Sequence, residues 1–96
     1  MSNKFLGTWN MAWTGGYRAA ELVHITENSG NLTLTYPGYE NGYGSNLTLG
    51  NGNRSLTGTW HQDNAGPGPF TFVLQGDDII AGVWSGGVWN GTRKDS

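Results

Sequence analysis

Apolar and polar residues alternate along most of this chain. Phe5, Gly7, Trp9, Met11 and Trp13 share one face of a first extended run. Leu32, Leu34 and Tyr36 alternate with Thr33 and Thr35, and Leu47 and Leu49 bracket Thr48. Leu56, Gly58 and Trp60 alternate with Thr57 and Thr59; Phe70, Phe72 and Leu74 alternate with Thr71 and Val73. Ile80, Gly82 and Trp84 follow, and a last run spans Val88 to Arg93. A period of two is the mark of a strand with one buried face. No stretch repeats apolar residues at helical spacing for three turns without an intervening glycine. The most helix-like segment, Tyr17 to Ile25 (YRAAELVHI), is short, follows two glycines and ends in Val-His-Ile-Thr, so it reads as strand.

Turn residues separate these runs: Gly15-Gly16, Asn28-Ser29-Gly30, Pro37-Gly38, Gly50 to Asn53, Asn64 to Pro69, Gly76-Asp77-Asp78 and Gly86-Gly87. Gly and Asn supply the positive φ that tight hairpins need. Eight short strands joined by seven short connections predict an antiparallel meander. The predicted fold is therefore all-β: a small antiparallel up-and-down eight-stranded β-barrel over residues 1–96, a single domain. Closure removes the exposed sheet edges. A two-sheet β-sandwich is the alternative.

A Gly-x-Trp unit occurs three times, at Gly7-Thr8-Trp9, Gly58-Thr59-Trp60 and Gly82-Val83-Trp84. The tryptophan lies two residues after the glycine and so points to the same face. Each pair leaves a gap and fills a large volume beside it, which suits a strongly curved sheet. If Trp9, Trp13, Trp60, Trp84, Phe70 and Phe72 all point inward, the barrel interior is filled and a large cavity is not expected.

Composition narrows the function classes. The net charge of −2 gives no basic face for nucleic acid or for an anionic membrane surface. No cysteine is present among the 96 residues, which removes disulfides and thiolate chemistry. Seventeen glycines exceed twice the usual share of about 7%, yet aromatics spread along the chain speak against disorder. The start MSNKFLGTW shows no visible secretory leader, and no apolar run is long enough for a transmembrane helix, so the expectation is a cytoplasmic protein, with a mature exported chain lacking its leader as the alternative.

An N-terminal Gly-x-Trp on the first strand, with a basic residue on the last, resembles the calycin barrels, the group that includes lipocalins and avidins. In that group an arginine or lysine crosses one barrel end and stacks on the tryptophan. The resemblance makes Trp9 that tryptophan and Arg93, in WNGTRK, that arginine, a barrel-closing pair. A guanidinium lies well on an indole face. LGTWN followed by GNLTLTYPG is similar to the start of avidin-type chains. Met11-Ala12-Trp13-Thr14 offers no match to the polar biotin contacts of those chains, so only the fold and the Trp9–Arg93 pair are carried over.

No catalytic constellation emerges. His24 and His61 lack further ligands at metal spacing, and both read as surface residues. Asp77-Asp78 reads as a hairpin turn. Glu21 shares its phase with Val23 and Ile25. Either that phase shifts by one, placing Ala20 and Leu22 inside, which is the expectation, or Glu21 sits at the barrel mouth. The sequons at Asn31, Asn46, Asn53 and Asn90 read as coincidence in an Asn- and Thr-rich chain.

The expected function is a non-catalytic ligand-binding module without cofactor or metal. Its ligand would be a glycan, or a small flat molecule at the barrel mouth. The candidate residues are Trp13, Tyr36, Tyr39, Tyr43 and Trp84; the tyrosines belong to YPGYENGYGSN, read as a long polar connection suited to sugar rings. The alternative is an interaction or inhibitor barrel that docks a partner protein by its loops. Self-association is open on either reading. A barrel isomerase or cyclase would need a polar interior, which these inward faces lack.

Overall fold

The computed structural model describes residues 4–14 and 19–95. Eight strands follow one another: β1 (Gly7–Trp13), β2 (Ala19–Asn28), β3 (Asn31–Tyr36), β4 (Gly42–Gly50), β5 (Ser55–Gln62), β6 (Ala65–Leu74), β7 (Ile79–Trp84) and β8 (Gly87–Asp95). Each is antiparallel to the next, and β8 returns to β1, so the sheet closes into a barrel in sequence order. The sandwich alternative is thereby excluded. The turns at 37–41, 63–64 and 85–86 lie at one end, here called the mouth. The turns at 29–30, 51–54 and 75–78, with residues 4–6, lie at the other, the floor. Gly15-Gly16, Tyr17 and Arg18 fall outside the described residues.

Two boundaries differ from the sequence reading. β4 begins at Gly42, so the connection after β3 is only 37–41 and Tyr43 lies within a strand. The register steps from Ser45↔Thr59 to Thr48↔Thr57, so β4 carries one extra residue, and Asn46 sits at φ 54°. This β-bulge breaks the alternation, so the Leu47/Leu49 phase cannot be extended back to Tyr43. β6 begins at Ala65, so Ala-Gly-Pro-Gly-Pro is strand, not turn.

The interior holds Phe5, Trp9, Met11, Trp13, Val23, Ile25, Leu34, Tyr36, Leu56, Trp60, Phe70, Phe72, Leu74, Ile80 and Trp89. Of the six aromatics expected inside, Trp84 is only half-buried. Tyr36 and Trp89 join them in its stead. On β2, Val23 and Ile25 are buried and Leu22 is half-buried, which overturns the expected phase shift. Glu21 is the cross-strand partner of inward Met11, and its carboxylate lies against Gly38 in a mouth turn. A rim position leaves it hydrated, whereas a phase shift would strip Val23 and Ile25 from the core.

The Gly-x-Trp glycines are places of close approach. A Cβ on Gly58 would stand 2.8 Å from the Ser45 carbonyl oxygen and 2.8 Å from Leu47 Cδ2. On Gly82 it would stand 2.5 Å from the Trp89 carbonyl oxygen and 2.7 Å from Phe72 Cδ1. The described Asp, Glu, Lys and Arg side chains lie in turns or within three residues of a strand end, and His24 sits midway along β2. The wall between is Thr, Ser, Asn and Val, with Val73, Ile79, Val83 and Val88 exposed on β6 to β8.

Arg93 closes the floor. Its guanidinium carbon lies 4.3 Å from the Trp9 ring centroid, and the two residues are cross-strand partners at the β1–β8 seam. Its nitrogens donate to Leu6 O at 2.8 Å, Lys4 O at 2.6 Å and Asp77 O at 2.7 Å. Nε also donates to Asp78 Oδ1 at 3.1 Å. The side chain is only 13% exposed, so these charge-assisted bonds are shielded from water.

Arg93→Lys keeps the charge but loses the planar fork, and is expected to lower stability by about 2 kcal/mol in urea denaturation. A loss below about 0.5 kcal/mol would mean that the floor holds without this clamp. Gly82→Ala drives a methyl into backbone that cannot yield, and should cost roughly 1–3 kcal/mol by the same measurement.

Candidate functional site

Four tryptophans meet at the mouth. Trp13 ends β1, Trp60 lies near the end of β5, Trp84 ends β7, and Trp89 lies near the start of β8. Antiparallel order brings these ends to one rim. With Gln62 and Ala65 they line a half-open cavity of about 60 Å³. A cavity of about 150 Å³ holds benzene, so the enclosed part here takes a group of roughly two or three heavy atoms. None of these lining residues is ionisable.

The rings brace one another edge to face. Trp89 meets Trp13 at 5.8 Å, Tyr36 at 5.2 Å, Phe70 at 5.7 Å and Phe72 at 5.0 Å between centroids. Trp60 meets Trp84 at 5.7 Å. Such pairs add about 0.5–1.5 kcal/mol each beyond burial and fix ring orientation. Trp84 is held by its indole N–H, which donates to Thr14 O at 2.9 Å. Trp60 is accommodated by its cross-strand partner Gly68, where a Cβ would stand 2.7 Å from Nε1. This is the physical reason for glycine in a segment that looks like a turn.

Two polar atoms stand out. The indole N–H groups of Trp60 and Trp89 are buried and have no hydrogen-bond partner among the described residues. A buried unsatisfied donor costs about 1–3 kcal/mol, and native structures carry few of them. Both tryptophans line the same cavity, while the two nitrogens themselves are shielded from it.

The expected site residues divide. Trp13 and Trp84 line the cavity. Tyr36 is fully buried behind it, and its hydroxyl accepts a hydrogen bond from Gln62 Nε2 at 3.0 Å. Tyr36 is therefore a core residue, not part of a sugar-stacking surface. Tyr39, in the 37–41 turn, packs edge-on against Trp13 at 4.9 Å, and its hydroxyl accepts from Asn64 Nδ2 at 3.2 Å. Tyr43 points out from the wall, 47% exposed, stacked on His61 at 4.5 Å, and does not line the cavity. The bulge in β4 is what turns it away. Trp60, Gln62, Ala65 and Trp89 were not singled out as site residues. Trp89 was legible in principle, because it lies two strand repeats before Arg93, on the same face.

The remaining polar groups make no catalytic arrangement. His61 Nε2 lies 2.7 Å from Ser45 Oγ, and His24 Nδ1 lies 3.1 Å from Thr8 Oγ1. Both pairs sit on the outer wall, and no carboxylate is hydrogen-bonded to either ring among the described residues. Asp77 and Asp78 form the turn that Arg93 clamps. Among the described residues no group of three His, Cys, Asp or Glu could hold a metal ion.

Tyr36→Phe deletes the hydroxyl that Gln62 bonds, and is expected to cost about 1 kcal/mol. Tyr43→Ala should change stability by less than about 0.5 kcal/mol. Urea denaturation checks both, and a larger loss from Tyr43→Ala would show that the outer stack with His61 is structural.

Comparison of the chain with protein-family models, with curated proteins and with solved structures finds no match, so the reading of this mouth rests on its own residues.

Proposed function

We propose that this barrel is a non-catalytic binding module that takes the head of a small, flat, uncharged ligand into its tryptophan-lined mouth. One observation carries the reading: four tryptophans from four strands, with no ionisable residue among them in the lining, converge on a small, half-open cavity. Pockets of this kind are mostly apolar, with a few polar groups that fix orientation. The floor is sealed by Arg93 and Trp9, so a ligand can enter only from the mouth end. An ion would lose its hydration among indoles with no counter-charge in the lining, which favours a neutral head.

Trp84 is the residue to test, because it is half-buried and lines the cavity. Native mass spectrometry of the gently purified protein, with tryptophan fluorescence during titration by small neutral aromatic amides and phenols, measures occupancy. Binding should saturate at one ligand per chain. Trp84→Ala should weaken it at least tenfold, with the unfolding transition still cooperative. Equal binding by Trp84→Ala, or none by the parent chain, would overturn the proposal.

A further inference from the structure

We infer that Asn51 is a modification site: in the folded protein its side-chain amide closes onto the backbone nitrogen of Gly52 and is lost as ammonia, leaving aspartate or isoaspartate. The site lies in the 51–54 turn at the floor and does not depend on what the mouth binds.

The reaction needs a particular neighbour and a particular freedom. The Gly52 nitrogen attacks the Asn51 side-chain carbonyl carbon and forms a cyclic imide. The bond from that carbon to Nδ2 breaks, and ammonia departs with the proton that the backbone N–H gives up. Water then opens the ring at either carbonyl, so the step consumes nothing but water. Glycine in the following position leaves no Cβ in the path of ring closure. The peptide must also be free to swing towards the side chain, which a backbone held in hydrogen bonds resists.

The sequence offers three Asn-Gly pairs, at Asn41, Asn51 and Asn90. Two of them are locked. Asn41 Nδ2 donates to Asp63 Oδ2 at 2.5 Å, and the Gly42 N–H donates to Tyr39 O at 3.0 Å. Gly42 is itself buried, with the Tyr36 ring against the place where a Cβ would stand. Asn90 lies within β8, and its Oδ1 accepts from the Gly82 N–H at 2.9 Å. Gly91 is paired with Met11 on one side and Ile80 on the other, and lies close against the Asn10 backbone.

Asn51 has none of these restraints. Residues 51–54 are all exposed. The Arg54 N–H closes the turn, donating to Gly50 O at 3.1 Å and to Asn51 O at 3.3 Å. Neither bond engages the Asn51 side chain or the Gly52 N–H, and no other bond to a described residue does so. No atom stands within 4 Å of where a Gly52 Cβ would be, so the peptide has room to turn. Asn51 and Gly52 sit at φ 51° and 66°, a left-handed conformation that asparagine adopts only at a cost. Loss of ammonia adds one negative charge to a chain of net charge −2, two residues from Arg54. In the isoaspartate product it also lengthens the turn backbone by one carbon.

The test incubates the full chain in mildly alkaline buffer, folded and, in parallel, unfolded in urea. Ion-exchange chromatography follows the added charge, and tandem mass spectrometry of peptides assigns it to a residue. Hydroxylamine, which cleaves the chain where the imide has formed, gives a second readout. The folded protein should gain its acid group at Asn51 at least about tenfold faster than at Asn41 or Asn90, the factor that one intact hydrogen bond supplies. Hydroxylamine should divide it into residues 1–51 and 52–96. In urea all three pairs should react. Asn51→Gln should hold the original charge while folded, and the comparison among the three pairs of the parent chain needs no substitution. Equal rates at the three pairs of the folded chain, or a faster reaction at Asn41 or Asn90, would overturn the inference. So would a folded chain that keeps Asn51 intact while the urea-unfolded chain reacts there.

Discussion

Everything in this molecule depends on closing the seam between its first and last strands. Seven of the eight strand pairs are joined by a short turn, so each can form locally. The β1–β8 pair joins residues more than seventy positions apart in sequence, at the largest entropic cost of any pair here. Arg93 is placed at that seam. It covers the Trp9 face and gathers carbonyls from residues 4 and 6 and from the 75–78 turn. One side chain thus ties the first strand's approach, the last strand and a neighbouring hairpin. Lysine could supply the charge but not several donors in one plane.

Once the seam is shut, the contents of the barrel decide what function remains. A closed eight-stranded sheet this small has little interior. Aromatic side chains consume nearly all of it, with Trp89 at the centre of a ring cluster that includes Trp13, Tyr36, Phe70 and Phe72. What remains open is a shallow space at the mouth, where the indoles of four different strands converge. The two unpartnered indole donors are the residue of this packing. The interior is dense enough to bury them and leaves no acceptor beside them among the described residues.

Much of the fold was legible, because period two and turn chemistry are local signals. Phe5, Trp9, Met11 and Trp13 fall inside as their spacing requires, and so do Leu56 with Trp60 and Phe70 with Phe72. The candidate site was less legible, for two physical reasons. A β-bulge at Asn46 reverses facing within β4, so Tyr43 left the group in which the sequence places it. Glycine and proline in Ala65 to Pro69 look like a turn, yet Gly68 is a strand residue that accommodates the Trp60 indole. Both effects depend on a neighbouring strand. The chain's own alternation cannot show them. Tyr36 was misjudged for a related reason: its hydroxyl suggested exposure, but Gln62 satisfies it inside.

The confinement of ionised side chains to the two ends has its own consequence. Among the described side chains the barrel wall carries no carboxylate, lysine or arginine, so their long-range field issues from the rims. Among the described residues, the mouth carries acidic groups at Glu21, Glu40 and Asp63, whereas the floor end sets Lys4, Arg54, Arg93 and Lys94 against Glu27, Asp77, Asp78 and Asp95. The described carboxylates at the mouth draw a cation-bearing partner to the end at which the cavity opens, while the sealed end, with its charges balanced, draws neither sign.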